Sequence, residues 1–165
     1  MIIRIAKESD LKSIVEIYNQ AIPLKKSTAD LNPVTVEGRE EWFKEHEADK
    51  FPIFVVEIDE RIVGWVSLSP YRKGREALRH TFELSYYIDS DYKGKGLGNA
   101  LLDFVIKKSS NYDVKTLIAI ILEYNKPSLA LVKKFKFEQW GYLPAIADFN
   151  GEECGHIYYG LRVRE

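Results

Sequence analysis

A chain of 165 residues and 19.1 kDa has the size of one ordinary domain. It is long enough to bury roughly 70 % of its unfolded surface without a disulfide or metal staple. Hydrophobic residues at 45 % and charged residues at 30 % exclude a disordered chain. The 24 Lys and Arg against 25 Asp and Glu remove the global electrostatic reason to expect nucleic acid or an anionic membrane as partner. Cys154 stands alone, so it has no intramolecular disulfide partner, and with three His it makes a poor zinc set; no metal is expected. The N-terminus carries Arg4 and no long apolar run, which does not fit a signal peptide, and a reducing cytoplasm is the expected compartment. The longest apolar stretch, Leu117 to Leu122, is far short of the roughly 20 residues a membrane helix needs.

Ile2 to Ala6 alternates around Arg4 and reads as a strand. Ser9 is the candidate cap of a helix carrying Leu11, Ile14, Val15 and Tyr18 on one stripe, which Pro23 should stop. Leu24 to Pro33 is polar, irregular and long for a connector, as binding loops often are. Thr35 can cap a second helix toward His46, with Trp42 and Phe43 facing inward. Pro52 to Ile58 and Arg61 to Leu68, joined by Asp59-Glu60, read as an antiparallel hairpin, and Thr81 to Ile88 as a third strand. A glycine-rich stretch then leads into a helix with Leu97, Leu101 and Val105 on one stripe. Thr116 to Leu122 has the continuous apolar pattern of a strand buried on both faces. Pro127 opens a helix from Ser128 to about Phe135, and Trp140 to Leu143 and His156 to Val163 are the last candidate strands. No repeat or linker interrupts this order, so residues 1–165 read as one α/β domain with a mixed sheet and helices on both sides.

The sharpest local feature is Lys93-Gly94-Lys95-Gly96-Leu97-Gly98-Asn99 between a strand and a helix. Three alternating glycines allow close backbone approach, and the helix start adds free amides and the positive end of its dipole. The loop therefore suits a phosphate, or serves as a plain tight turn. A Walker A loop is absent, and a dinucleotide fingerprint would need glycine where Asn99 stands. A pyrophosphate loop for coenzyme A is the remaining phosphate class.

Tyr86-Tyr87-Ile88 followed by this loop resembles the acetyl-CoA loop of the GNAT superfamily of N-acetyltransferases. Asn125-Lys126-Pro127-Ser128, leading through Leu129 and Leu131 to Phe137, resembles that superfamily's second CoA motif, and the opening Ile3-Arg4-Ile5-Ala6 with Asp10 also fits. Thr81-Phe82-Glu83-Leu84-Ser85-Tyr86-Tyr87-Ile88 is similar to the Thr-x-Glu-x-Ser-x-Tyr-Val strand of the phosphinothricin acetyltransferase branch, as are Tyr18-Asn19, Ser27-Thr28-Ala29 and Pro70-Tyr71-Arg72 to other parts of it. The resemblance implies a mostly antiparallel mixed sheet flanked by helices on both faces. It also implies acetyl transfer from acetyl-CoA to the amine of a small amino-acid-like compound of the phosphinothricin or methionine sulfone and sulfoximine type. Three positions depart from the pattern: Lys93 replaces Arg or Gln, Lys136 replaces a glycine and so implies a different turn, and Val132 replaces the tyrosine that serves as general acid in many members.

On pattern alone Glu83 reads as a cross-strand carboxylate facing a Lys or Arg. The resemblance makes it the general base for the acceptor's ammonium, ionising against a raised pKa among apolar neighbours. Backbone groups of Tyr86, Tyr87 and Ile88 are implied to hold the thioester and pantetheine arm, Gly94 to Asn99 the pyrophosphate, and Asn125 and Ser128 the arm or the following helix. Asn125 also suits a helix cap with no ligand. Arg72 is a candidate clamp for a substrate carboxylate, and Thr28 and His80 are further pocket candidates; each also reads as an ordinary structural residue. The loss of a tyrosine at Val132 is tolerable, because an alkyl thiol with a pKa of roughly 8.5 leaves without a strong acid. Acetylation of a protein N-terminus or polyamine, and a non-catalytic acyl-CoA sensor, are the rival functions. A homodimer is a further expectation from the resemblance.

Overall fold

The computed structural model describes residues 1–165. Its elements follow in the order β1 (Ile2–Ile5), α1 (Leu11–Asn19), α2 (Val36–Glu45), β2 (Ile53–Ile58), β3 (Arg61–Pro70), β4 (Thr81–Ile88), α3 (Leu97–Lys108), β5 (Thr116–Leu122), α4 (Lys126–Lys134), β6 (Glu138–Asp148) and β7 (Glu153–Arg162). The strands form one seven-stranded sheet in the order β1-β2-β3-β4-β5-β7-β6. Every neighbouring pair is antiparallel except β4 with β5. This is the mixed, mostly antiparallel sheet that the sequence predicts.

Strand alternation divides the core between the two faces. Phe54, Val56, Val66, Leu84 and Leu117 pack with Leu101 and Val105 of α3 and Val132 of α4. Val55 and Trp65 turn to the other face and pack with Ile14 and Ile17 of α1, with Trp42 and Phe43 of α2 beside them. The indole N–H of Trp65 donates to Ile14 O at 3.1 Å, tying α1 to the sheet. The β2–β3 hairpin turns at Asp59 and Glu60, both left-handed (φ 48° and 61°), the backbone of a tight primed turn although neither residue is glycine.

Helix ends differ from expectation where side chains compete for backbone groups. Ser9 lies inside a short 3-10 turn, Glu8–Asp10, and does not cap α1. Asp10 organises that start instead: its carboxylate accepts from Lys7 N–H at 2.8 Å and from Arg4 at 2.7 and 3.1 Å. Helix α1 ends at Asn19, ahead of Pro23, which falls in a separate 3-10 turn, Ile22–Leu24. Thr35 caps α2 as the sequence predicts, accepting from Gly38 N–H at 3.0 Å. Strand β6 runs well beyond Trp140 to Leu143; it is a mostly exposed edge with a register break between Leu143 and Ala147, so it lacks the alternation that marks a buried strand.

Lys136 lies in the turn that ends α4. It takes the left-handed conformation itself, with φ 63°. Lys136 N–H donates to Lys133 O at 3.0 Å and Phe137 N–H to Val132 O at 3.1 Å. Those two bonds are a Schellman ending for α4, closed by burial of Phe137 and Val132 in the same core. The hydrogen bonds and the apolar contact hold a lysine where a glycine would be less strained.

Candidate functional site

The parallel pairing of β4 with β5 covers only Thr81 with Thr116, Phe82 with Leu117 and Glu83 with Ile118. Beyond that point Leu84–Ile88 and Ala119–Leu122 are no longer partners, and both line one cleft of about 750 Å³. The splay follows from what each strand serves on its other side. Strand β4 stays registered with β3 up to Ile88 opposite Gly64, and β5 stays registered with β7 up to Leu122 opposite His156.

Backbone direction on β4 is set by two fixed bonds: Tyr71 N–H donates to Thr81 O, and Asp89 N–H donates to Val63 O. Odd-numbered backbone groups of β4 therefore face β3, and those of Leu84, Tyr86 and Ile88 face the gap. Tyr87 sends its side chain to the α1 face, where its hydroxyl donates to Ser27 O at 3.1 Å. Burial holds the Tyr86 phenol up to about 12, against an opposing effect of Ser128.

The far end of the cleft is the glycine loop. Gly96 caps α3 in the left-handed region with φ 84°, and Gly94 has φ 74°. A Cβ at either glycine would meet no heavy atom within 4 Å, so the loop borders open space. Gly98 is different: a Cβ there would come within 2.9 Å of Leu131 Cδ2, so glycine allows α3 to lie close to α4. The first amides of α3 lack helical partners and sit at the positive end of its dipole. Lys93, Gly94, Gly96, Leu97, Gly98 and Asn99 all line the cleft, whereas Lys95 reaches back over the Tyr92 ring at 4.6 Å. Asn99 receives a hydrogen bond from Lys134 Nζ at 2.5 Å.

Asn125 caps α4, its Oδ1 accepting from Ser128 N–H at 3.2 Å. Its Nδ2 also donates to Ser27 Oγ at 3.3 Å, so the loop after α1 reaches across the cleft to the start of α4. Sequence reasoning marks this loop as a binding element but misses Ser27 and Lys26, which line the cleft. It also misses Gln20, which lines the cleft and whose Oε1 accepts from Ser90 N–H at 2.8 Å. No motif carries these residues; their position depends on how the loop folds back over β4.

Glu83 stands at the vertex, the last β4 residue paired with β5. Burial raises its carboxyl above the usual range, with Arg72 opposing. Arg72 itself is exposed on the loop after β3. Across the sheet from Glu83 lies Ser69, which is hydrogen-bonded to His46 Nε2 at 3.0 Å. Thr28 is buried rather than open to the cleft: it shares a hydrogen bond of 2.6 Å with Tyr18, whose hydroxyl donates to Asp30 at 2.5 Å. His80 lies at the start of β4 beside Asp113, with Nδ1 at 3.0 Å from the Asp113 carbonyl, and does not line the cleft. Cys154 is buried against Leu122 and Phe149, consistent with a structural thiol.

The residues present fit the group that a glycine loop of this kind implies. Open space over Gly94 and Gly96 admits a diphosphate, Lys26, Lys93 and Lys126 supply positive charge along the lining, and the gap between β4 and β5 has room for a long acyl-bearing arm.

A mixed sheet that splays beside a helix N-terminus is the architecture of the GNAT transferases. The chain matches the acetyltransferase (GNAT) family over residues 11–137. A Bacillus subtilis (strain 168) protein named "Putative phosphinothricin acetyltransferase YwnH" is 39 % identical over 164 residues, covering 99 % of this chain and 96 % of that one. An L-methionine sulfoximine/L-methionine sulfone acetyltransferase of Pseudomonas paraeruginosa is 31 % identical over 145 residues, covering 87 % of this chain and 84 % of that one. The crystal structure of a GNAT superfamily phosphinothricin acetyltransferase from Sinorhizobium meliloti in complex with AcCoA shares the fold with a TM-score of 0.91 at 25 % identity, covering 98 % of this chain and 87 % of that one. The chain belongs to the acetyltransferase (GNAT) family and is an N-acetyltransferase. No helix is long and apolar enough to cross a membrane.

Proposed function

We propose that this enzyme transfers the acetyl group of acetyl-CoA directly to the amine of a small amino-acid-like substrate, with Glu83 as general base. The observation that carries the reading is the splay: the β4–β5 pairing ends at Glu83, which stands just outside the lining, and the cleft beyond it runs from Leu84 and Ala119 to the N-terminus of α3. The carrier, when bound, supplies an acetyl thioester.

Every other part belongs to the chain. The amides at the start of α3, with Gly94 and Gly96, hold the diphosphate. The gap-facing backbone groups of Tyr86 and Ile88 hold the arm and polarise the acyl carbonyl; one such donor is typically worth about 10²–10³ in rate. Asn125 and Ser128 fix the start of α4 beside the arm. Glu83 takes a proton from the acceptor's ammonium, freeing the nitrogen lone pair to attack. A raised carboxyl pKa suits this task, since it brings the base closer to the operating pH. Arg72, close enough to act on the charge of Glu83, pairs with the acceptor's carboxylate. Sequence kinship with a methionine sulfoximine and sulfone acetyltransferase supports an acceptor that carries both an α-amine and a carboxylate.

The test is an amine panel with acetyl-CoA, following release of free thiol. Phosphinothricin, methionine sulfone and methionine sulfoximine should be acetylated, and polyamines and short peptides poorly. Thiol release with peptides or polyamines and none with amino acids overturns the acceptor class. Binding of acetyl-CoA with no thiol release for any amine overturns the enzyme reading.

A further inference from the structure

Glu83 faces a hydroxyl that does not bond it. Ser69 of β3 and Glu83 of β4 are register partners. Strand alternation from Trp65 and Tyr87 puts both side chains on the face of the sheet that α1 and α2 cover. Directly opposed residues of an antiparallel pair hold their Cβ atoms about 5 Å apart, within reach of a serine hydroxyl and a glutamate carboxylate. Yet no hydrogen bond reaches that carboxylate: burial raises its pKa, and only the charge of Arg72 opposes.

The Ser69 hydroxyl is engaged by His46 instead. His46 follows the last turn of α2, its ring centroid 4.6 Å from that of Trp42. Its Nδ1 lies 2.7 Å from Trp42 O and its Nε2 3.0 Å from Ser69 Oγ. A carbonyl oxygen only accepts, so Nδ1 carries the ring proton. Burial holds the imidazole below its usual pKa, against the Trp42 carbonyl and Glu45, and so favours the neutral ring with a bare Nε2. Nε2 therefore accepts, and the hydroxyl proton of Ser69 is directed to His46.

We propose that His46 is a positioning residue for the base: by accepting the Ser69 proton, it keeps that hydroxyl from donating to the Glu83 carboxylate. This rests on the reading of Glu83 as general base and adds what keeps that base strong. A hydroxyl that donates to a carboxylate favours the ionised form and lowers its pKa. A weaker base takes the ammonium's proton less well. The imidazole itself neither touches the acceptor nor carries its proton. The charged groups that bear on the pair are Arg72 on Glu83, and Glu45, itself bridged to Lys73 at 2.6 Å, on His46.

The experiment follows the Glu83 carboxyl by carbon NMR across pH, assigned with Glu83→Gln, beside pH profiles of kcat/KM. His46→Phe keeps a ring against Trp42 but removes the acceptor, so Ser69 turns to Glu83. The Glu83 titration and the acidic limb of the profile should both move about 1–2 pH units lower. At the plateau kcat should fall roughly 3–10-fold, with the KM for acetyl-CoA unchanged. Ser69→Ala should leave the titration where the parent has it, and so should the double variant Ser69→Ala/His46→Phe. His46→Gln, whose amide oxygen accepts from Ser69, should keep the parent's titration. An unmoved titration in His46→Phe, the same downward move in the double variant, or an upward move in Ser69→Ala overturns the proposal. The Ser69→Ala arm decides even where His46→Phe fails to fold, since an upward move means that Ser69 already donates to Glu83. A Glu83→Gln variant as active as the parent removes the base reading and this inference with it. An unmoved titration in His46→Phe beside a slow Glu83→Gln removes this inference alone.

Discussion

Glu83 and Ile118 are the last pair to face each other across the parallel junction of β4 and β5, and the sheet opens immediately beyond them. A sheet that opens in its middle leaves backbone groups without strand partners, which is costly unless something else binds them. The same junction places a half-buried carboxylate where the opening begins.

Replacing this carboxylate tests the base directly. Glu83→Gln should lower kcat by about 10²–10⁴-fold and leave CoA affinity nearly intact. In the parent, kcat/KM should rise with pH through the raised carboxyl pKa, since only the ionised form accepts a proton. The variant should lose that acidic limb. Steady-state kinetics across pH check both points, and equal turnover in parent and variant removes Glu83 as base.

Arg72 has two expected effects. Burial raises the Glu83 carboxyl and Arg72 opposes the rise, so Arg72→Ala should move the acidic limb of the pH profile to higher pH. Loss of the guanidinium should also raise the KM for carboxylate-bearing acceptors by about 10-fold, equivalent to one charge-assisted hydrogen bond of roughly 1.5 kcal/mol. The KM for acetyl-CoA should stay put. Unchanged acceptor kinetics count against the clamp.

Gly96 holds a left-handed φ of 84° at the start of α3 with open space around it. Gly96→Ala should therefore cost about 1–2 kcal/mol through backbone strain alone. That corresponds to a fall in melting temperature of roughly 2–8 °C. CoA should bind more weakly, because the relaxed loop no longer directs its amides at the diphosphate. Denaturation and calorimetry on the same sample check the pair of effects.

Asp10 accepts hydrogen bonds from Arg4 and from the Lys7 backbone, and Arg4 also bonds Glu57 at 2.7 Å. Burial alone would push the Asp10 carboxyl up, but Arg4 and Lys7 N–H outweigh it and hold the carboxyl below its ordinary range. A depressed carboxyl pKa contributes stability that is full above the unfolded value and lost as pH falls through the folded one. Asp10→Ala should cost about 2–3 kcal/mol near neutral pH, and the gap to the parent should narrow in acid below about pH 4. Urea titrations at two pH values check the sign.

Much of the site was readable because its chemistry depends on local backbone. Three alternating glycines before a helix, an asparagine three residues ahead of Ser128, and the alternation of Glu83, Ser85 and Tyr87 against Phe82, Leu84 and Tyr86 all act within a few residues. The full strand spans Thr81–Ile88 and Thr116–Leu122 were legible for the same reason. At Lys136 residue type favours a turn without deciding it; two hydrogen bonds and the burial of Phe137 hold a lysine in the left-handed region. The polarity and length of the loop after α1 point to a binding element, but only the fold turns Thr28 inward to Tyr18 and brings Ser27 to Asn125.

From residue order alone came the succession of strands and helices, the anion-suited loop and the candidate base, all properties of short segments. Folding in three dimensions decided how far β4 and β5 stay paired and which loop residues cross the cleft. Those depend on contacts between segments far apart in the chain, where packing on one side of a strand fixes what remains free on the other.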